Sequence, residues 1–571
     1  MKKIKMSQIF IIALALVVLA GGVLLGIFFG SETDSSHDTK GATTAAAIEV
    51  PVPDEASATK ITLKQDASEV SGKGAVVEQN KVRISQPGTY VLSGKLTDGK
   101  IEVEADNKAT VILLLNGVEI TNTNGKAIES MKAAHTSVQM KEGTKNVVQS
   151  GEEAGADQEK TSNPEESVSG AAIYAVEEMS IAGEGELTVK GYRNDGIKGK
   201  ESLCIAGGSL AIESNNDAVQ AEENLLLSGG TVTVKTGGGS GAADTFTADR
   251  GGRPDSDTDA DWDMENQVKE SFKGFKCGNA MVISGGEYEV DSYDDGFHSN
   301  GTAAVSGGKL TVKSGDDGIH ADQSLDITGG EITVTKSNEG LEANQITIEA
   351  GEVNLTSSDD GMNACGGNSN MGRGFGRSNQ NPDRNTSEQE ETEDMPNLTI
   401  SGGTITVDAG GDGLDSNGNL TISGGLVVVN GPTNSGNGAL DSGSESGGKC
   451  TISGGTVLAV GSSGMAETFE ESSSQCSFLH NLASSYQEGD EIVISDASGN
   501  ELFRHTAVKT GNSIVFSSPD LKQGETYTVE AGEQKETVTM ESNSQSNGKG
   551  NGFGGGFGKK NQKRIAYGKD M

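Results

Sequence analysis

DDGFHSNGTAAVSGGKLTVKSG (residues 294–315), DDGIHADQSLDITGGEITVTKS (316–337), NEGLEANQITIEAGEVNLTSS (338–358) and DDGMNACGG (359–367) follow one another without interruption. The glycines at Gly296, Gly318, Gly340 and Gly361 set steps of 22, 22 and 21 residues. Each unit holds three short stretches in which apolar and polar residues alternate. In one they are Gly318-Ile319-His320-Ala321, Leu325-Asp326-Ile327 and Ile332-Thr333-Val334, parted by polar turns and a glycine pair. Alternation with period two marks β-strand, and about 22 residues at roughly 3.3 Å each make a circuit of about 70 Å. The spacing predicts an all-β chain, a right-handed parallel β-helix with one unit per coil and coils stacked about 4.8 Å apart. Ile319, Leu341, Met362 and Leu414 are then an internal stack. A β-sandwich or a low-complexity tract has no reason to keep such a register.

The pattern extends in both directions. Upstream are NDGIKGKESLCIAGGSLAIESN and NDAVQAEENLLLSGGTVTVKTG; downstream are GDGLDSNGNLTISGGLVVVNG and the looser CTISGGTVLAVG. These set the helix at residues 61–465, with irregular first coils and a cap before the clear repeats. Excursions rich in Gly, Ser and acidic residues interrupt it near 148–168, 237–273 and 366–396, and read as loops from coil corners. Residues 466–540 read as a small β-sandwich-like module. Residues 541–571, rich in Gly, Ser, Asn and Lys, read as a disordered tail.

Residues 9–30 form an apolar run without a charge, preceded by Lys2, Lys3 and Lys5. Such a run spans about 30 Å of hydrocarbon, and the basic flank places it as a signal or retained membrane anchor that exports everything after Ser31, starting with a linker at 31–60. The protein is therefore expected outside the cell, membrane-anchored or secreted. The 571 residues are 33% hydrophobic with 82 glycines, too lean for one large globular core and suited to a thin solenoid. A net charge of -39, from 83 acidic and 44 basic residues, excludes nucleic acid as partner and favours cations. The five cysteines have no C-x-x-C spacing, which removes a zinc site, and read as packed free thiols.

Stacking turns the repeated corner [N/D]-[D/E]-G-[apolar]-x-[A/S]-x into an acidic strip. One column is Asn194, Asp294, Asp316, Asn338 and Asp359; the next is Asp195, Asp217, Asp295, Asp317, Glu339, Asp360 and Asp412. Beyond the glycine come His298, His320, Glu342, Asn363 and Asp415, then Asn300, Asp322, Asn344 and Asn417. Carboxylates about 4.8 Å apart repel by roughly 3 kcal/mol at an effective dielectric of about 20. A cation between them, or protonation, relieves this. Ca²⁺ suits an oxygen donor set, with candidate ligands Asp294, Asp295, Asp316, Asp317, Asp322, Glu339, Glu342, Asp359, Asp360, Asp412 and Asp415. His298, His320, Lys198, Asn344 and Asn417 are candidates to touch a substrate. The same Asp-Gly pairs are also ordinary turn chemistry, the carboxylate capping backbone N–H groups and the glycine supplying positive φ.

Together with GTYVLSGKLTDGKIEVEADNKATVILLLNGVEITNTNGKAI, the DDG corners and TISGG strands resemble the bacterial family of secreted carbohydrate-binding β-helix proteins over about residues 61–540. The resemblance implies bound calcium, affinity for acidic, pectin-like polysaccharide, and a shape similar to pectate lyases. The residues agree in part. Aromatic platforms for neutral sugars are scarce, with 4% aromatics and a single Trp262, whereas calcium bridging of uronates needs none. The expected function is calcium-dependent binding without catalysis. One rival is a polysaccharide lyase, with Ca²⁺ acidifying the uronate C5 proton and Lys198 or Lys313 removing it. Another is an adhesin or envelope spacer.

Overall fold

The computed structural model of the chain describes residues 45–65, 67–152, 170–243, 271–365 and 395–548. The apolar run at 9–30, most of the three excursions and residues 549–571 lie outside the described residues. Among the described residues no helix is long and apolar enough to cross a membrane.

The described chain is almost wholly β, and its strands fall into three parallel ladders that close as a ring. The first runs through the corner strands Phe275–Cys277, Phe297–Ser299, the start of Ile319–Ile327, the start of Leu341–Ile348, Met362–Ala364, Leu414–Ser416 and Leu440–Ser442. In it Phe275 pairs with Phe297, Phe297 with Ile319, Ile319 with Leu341 and Leu341 with Met362. The second ladder aligns Met281, Ala303, Leu325 and Ile346; the third aligns Tyr288, Leu310, Ile332 and Val353. Each alternate residue turns inward because period-two side chains face opposite sides of a strand. Ile319, Leu341, Met362 and Leu414 are fully buried in one continuous hydrophobic core. Two rungs fill it with aromatics: the Phe275 and Phe297 rings stack at 4.9 Å, and Tyr288 meets both edge-on.

Several boundaries differ from the sequence expectation. The first excursion begins later, because Lys145–Ser150 is strand and pairs in parallel with Glu186–Gly191. The second ends earlier: Lys273 is already at a corner, its N–H donating to Asp217. Beyond Glu541, Ser544–Ser546 forms a strand in parallel with residues 477–479, so order continues into the expected tail.

The corner glycines also differ in their reason. Positive φ belongs to the second glycine of the glycine pairs, +89° at Gly308 and +91° at Gly330, while Gly296, Gly318, Gly340 and Gly361 keep negative φ. What excludes a side chain there is stacking: a Cβ on Gly318 would lie 2.5 Å from the Gly340 carbonyl oxygen.

The last third-ladder strand, Thr456–Gly461, pairs antiparallel with Gly511–Ser517, which ends the parallel stacking. Glu501–Thr506, Glu491–Asp496, Thr526–Ala531 and Gln534–Thr539 make a separate antiparallel sheet in that order. Leu458, Val460, Phe478, Phe516, Ile492 and Val529 form its own core. At the other end, antiparallel pairings of Thr59–Leu63 with Glu69–Ser71 and of Ala75–Glu78 with Lys81–Ile84 precede the regular rungs.

Candidate functional site

The second residue of every corner strand points outward, so register alone builds a column. It reads Tyr174, Lys198, Gln220, Lys276, His298, His320, Glu342, Asn363, Asp415 and Asp441. Its charged members run from lysines through imidazoles to carboxylates, with the neutral Gln220 and Asn363 between them. Beside it runs the column before the glycines, in which Lys273 stands where the other coils carry Asp195, Asp217, Asp295, Asp317, Glu339, Asp360 and Asp412.

The aspartates of that second column do two things at once. One oxygen caps the next coil: Asp317 N–H donates to Asp295 Oδ1 at 3.1 Å, Asp412 N–H to Asp360 Oδ1 at 2.6 Å, and Gly438 N–H to Asp412 Oδ1 at 2.5 Å. The other oxygen is left for the surface. At Asp295 it receives the Lys273 ammonium at 2.5 Å and His298 Nδ1 at 2.7 Å. At Asp317 it receives His320 Nδ1 at 3.2 Å.

Charge at the lysine and histidine rungs is matched by covalent cations. Burial pushes Asp295 upward, yet the bond from His298 and the Lys273 ammonium outweigh it and hold the carboxyl well below its ordinary range. Lys273 also bonds Asp294 at 2.9 Å. Asp316, without such a partner, is raised to about 6 by burial and by Asp295 and Asp294. His320 Nδ1 reaches Glu342 at 2.8 Å and its Nε2 reaches Asp322 at 3.0 Å. Burial alone would depress this imidazole, but bonds to Asp317, Asp322 and Glu342 raise it to about 12. The same contacts overcome burial at Glu342 and lower it to about 2, while burial and Asp295 leave Asp317 raised. Lys198 lies 4.0 Å from Asp195 and 3.7 Å from Glu222.

The next rungs lack such partners. Burial first, and neighbouring carboxylates second, raise Glu339 to about 8, Asp412 to about 7 and Asp415 to about 9. Burial raises Asp360 to about 6, against the opposing bond from Asp412 N–H. Among the described residues no lysine, arginine or histidine lies within ion-pair reach of these four carboxylates. Asn363 donates to Glu339 at 3.0 Å, but its own Oδ1 is buried without a partner, as is Asn344 Oδ1. Burying an oxygen without a donor costs free energy. A hard cation among these oxygens would meet both needs, supplying charge to the carboxylates and a partner to the amides.

The model of a family described as carbohydrate-binding domain-containing protein matches residues 78–251 and 202–318. A carbohydrate-binding domain-containing protein of Acetivibrio thermocellus is 31% identical over 141 residues, covering 25% of this chain and 48% of that relative. The chain thus spans about half the length of the curated relative it matches. Among solved structures, a polysaccharide lyase-like protein from C. thermocellum, a gadolinium derivative, is 22% identical with a TM-score of 0.35. That likeness covers 48% of this chain and 99% of the other. The family match includes the lysine and first histidine rungs and ends at residue 318, before Glu339 and the rungs that follow.

Three groups at the histidine step bring ligating atoms within 4.8 Å of one another: Asp295, His298 and His320; Asp317, His320 and Glu342; and Asp294, Asp295 and Asp316. The first suits a nitrogen-seeking metal poorly. Lys273 already occupies Asp295, and the two rings stack at 4.7 Å and 13°, so their in-plane lone pairs run side by side instead of converging.

Of the sequence candidates, Asp294, Asp295, Asp316, Asp317, Asp322, His298, His320 and Glu342 gather at the cation-matched rungs, and Glu339, Asp360, Asp412 and Asp415 at the others. Asp359 and Asn417 are exposed at the rim. Sequence reasoning missed Lys273, Lys276 and Asp441. The signals were present: KGFKCGN repeats the frame of DGFHSNG, and Leu440-Asp441-Ser442 repeats Leu414-Asp415-Ser416.

Proposed function

We propose that this chain is an extracellular, calcium-dependent carbohydrate-binding protein that holds acidic polysaccharide along the corner column without turning it over. In this reading the three ladders wind as a right-handed parallel β-helix of about 22 residues per coil, displayed from the amino-terminal apolar run. The carrying observation is the set of four carboxylates that have no cationic partner among the described residues, Glu339, Asp360, Asp412 and Asp415, beside the unsatisfied Asn363 oxygen. Glu342 and the outer Asp359 complete an all-oxygen donor set. When bound there, Ca²⁺ supplies the positive charge through which a uronate carboxylate is attracted to an acidic surface. The family match to carbohydrate-binding domains supports the glycan as partner.

A lyase needs an uncharged base near that cation. Lys273 is held in its charged form by Asp295 and Asp294 against the effect of burial, and Lys198 sits between two carboxylates. These contacts favour binding over proton abstraction.

The test is gel retardation of the exported portion by polygalacturonate, with and without chelator, alongside the absorbance of unsaturated product. Retardation that chelator abolishes, with flat absorbance, is the expected result. Retardation indifferent to chelator sinks the calcium bridge, no retardation sinks the glycan, and an absorbance rise lost in Lys198→Ala replaces the binder with the lyase.

A further inference from the structure

A second cluster lies on a different face, far along the chain from the acidic corner. Residues 135–140 and 178–183 are neighbouring strands of the second ladder, with Glu178 directly opposite His135 and Ser180 opposite Ser137. Residues two apart share a strand face, so all four side chains stand on the outer side. The distances are those of an acid–imidazole–hydroxyl relay. Glu178 Oε1 lies 3.3 Å from His135 Nδ1, and His135 Nε2 lies 2.8 Å from Ser180 Oγ. A carboxylate beside Nδ1 favours the ring proton on that nitrogen, the tautomer in which Nε2 can accept from the serine. Burial depresses His135 below its ordinary range, so the ring is uncharged at neutral pH and able to take that proton.

The relay is covered. Ser137 and Ser180 face outward yet are 0% exposed. Residues 45–58, which precede the first strand, are tied across this face at three points. Asp54 N–H donates to Thr89 Oγ1 at 3.0 Å, Gln139 Nε2 donates to the Pro51 carbonyl at 2.7 Å, and Glu55 pairs with Lys141. Gln139 Nε2 also donates to Ser137 Oγ at 2.9 Å, and Ser180 Oγ donates to Ser137 Oγ at 2.8 Å, so under the strap the Ser180 proton is directed at Ser137. One amide therefore joins the strap to the hydroxyl pair.

We propose that Glu178, His135 and Ser180 form an acyl-transfer site for short-chain esters, closed by the strap of residues 45–58. Lifting the strap uncovers Ser180, lets its hydroxyl turn from Ser137 to His135 Nε2, and frees the Gln139 amide from Pro51 to donate to a developing oxyanion. Ser180 Oγ attacks the ester carbonyl carbon while its proton passes to His135 Nε2. The carbon–oxygen bond to the alcohol breaks, and His135 returns the proton to the leaving oxygen. Water then attacks the acyl-serine through the same histidine and releases the carboxylic acid, so the net change is ester plus water to acid plus alcohol.

The experiment treats the full chain with a fluorophosphonate probe and follows the adduct on the Ser180 peptide by mass spectrometry, with p-nitrophenyl acetate hydrolysis in parallel. The double variant Glu55→Ala, Lys141→Ala, altered only at the strap's exposed ion pair, is expected to label Ser180 at least about tenfold faster than the unaltered chain. In that background His135→Gln is expected to abolish labelling and Glu178→Gln to slow it about tenfold. Labelling of Ser180 no faster than that of other serines in a strap variant that melts cooperatively overturns the proposal. So does labelling that survives His135→Gln. Should the strap variant fail to fold, the rate in the unaltered chain decides: it must rise with pH as His135 loses its proton, and a rate indifferent to pH overturns the proposal equally.

Discussion

Asp295 and Asp412 occupy the same position of the acidic corner, each just before a corner glycine, and they differ in almost everything electrical. Asp295 is held deprotonated by Lys273 and His298, whereas Asp412 is raised to about 7 by burial and by the carboxylates of Asp360 and Asp441. Backbone and register are alike. What separates them is whether the chain itself provides the cation, and the comparison teaches that a repeat can conserve geometry while changing the ion it requires.

The sharpest way to break the contrast is to remove the built-in cation. Lys273→Met strands Asp294 and Asp295 and is expected to destabilise the protein by about 3 kcal/mol in denaturant titration, the scale for losing one partner of a buried pair. Added Ca²⁺ should restore part of that loss, converting one kind of rung into the other. A smaller effect comes from pH. Glu339, Asp412 and Asp415 have folded values raised to about 8, 7 and 9, so their contribution is fully present below the unfolded carboxylate value and is lost as pH rises through the folded ones. The chelated protein should therefore melt at progressively lower temperature from about pH 5 to about pH 9, and Ca²⁺ should flatten that slope. A slope unchanged by calcium would remove the distinction between the two regions.

Smaller again, Asp415→Asn should weaken calcium binding about tenfold by calorimetry, the value of one charged ligand, while raising the melting temperature of the chelated protein. Least of all, Lys198→Gln should cost about 1 kcal/mol or less, because its ion pairs are long and one partner, Glu222, is exposed. It should leave calcium affinity unchanged.

The alternating strands, the inward stack of Ile319, Leu341, Met362 and Leu414, and the acidic strip were legible in the sequence, because alternation is local. The division of that strip was not. Lys273 arrives at the end of a long excursion whose composition hides the return to register. Asp441 comes after a longer step and without the Asp-Gly pair that marks the other corners. The role of the corner glycines was misread for a similar reason: an Asp-Gly pair signals a turn in isolation, and only the stack shows that the neighbouring carbonyl is what leaves no space. Protonation states were beyond reach altogether, since DDG reads the same whether a histidine or another carboxylate sits one coil above.

The divided use of each aspartate has an evolutionary corollary. Asparagine retains the inner acceptor that seals the following turn of chain while erasing the outward charge. Asp360 and Asp412, whose outer oxygens meet no cation among the described residues, can each drift to the neutral residue and keep the capping bond, so a lineage is free to retune its ionic appetite rung by rung.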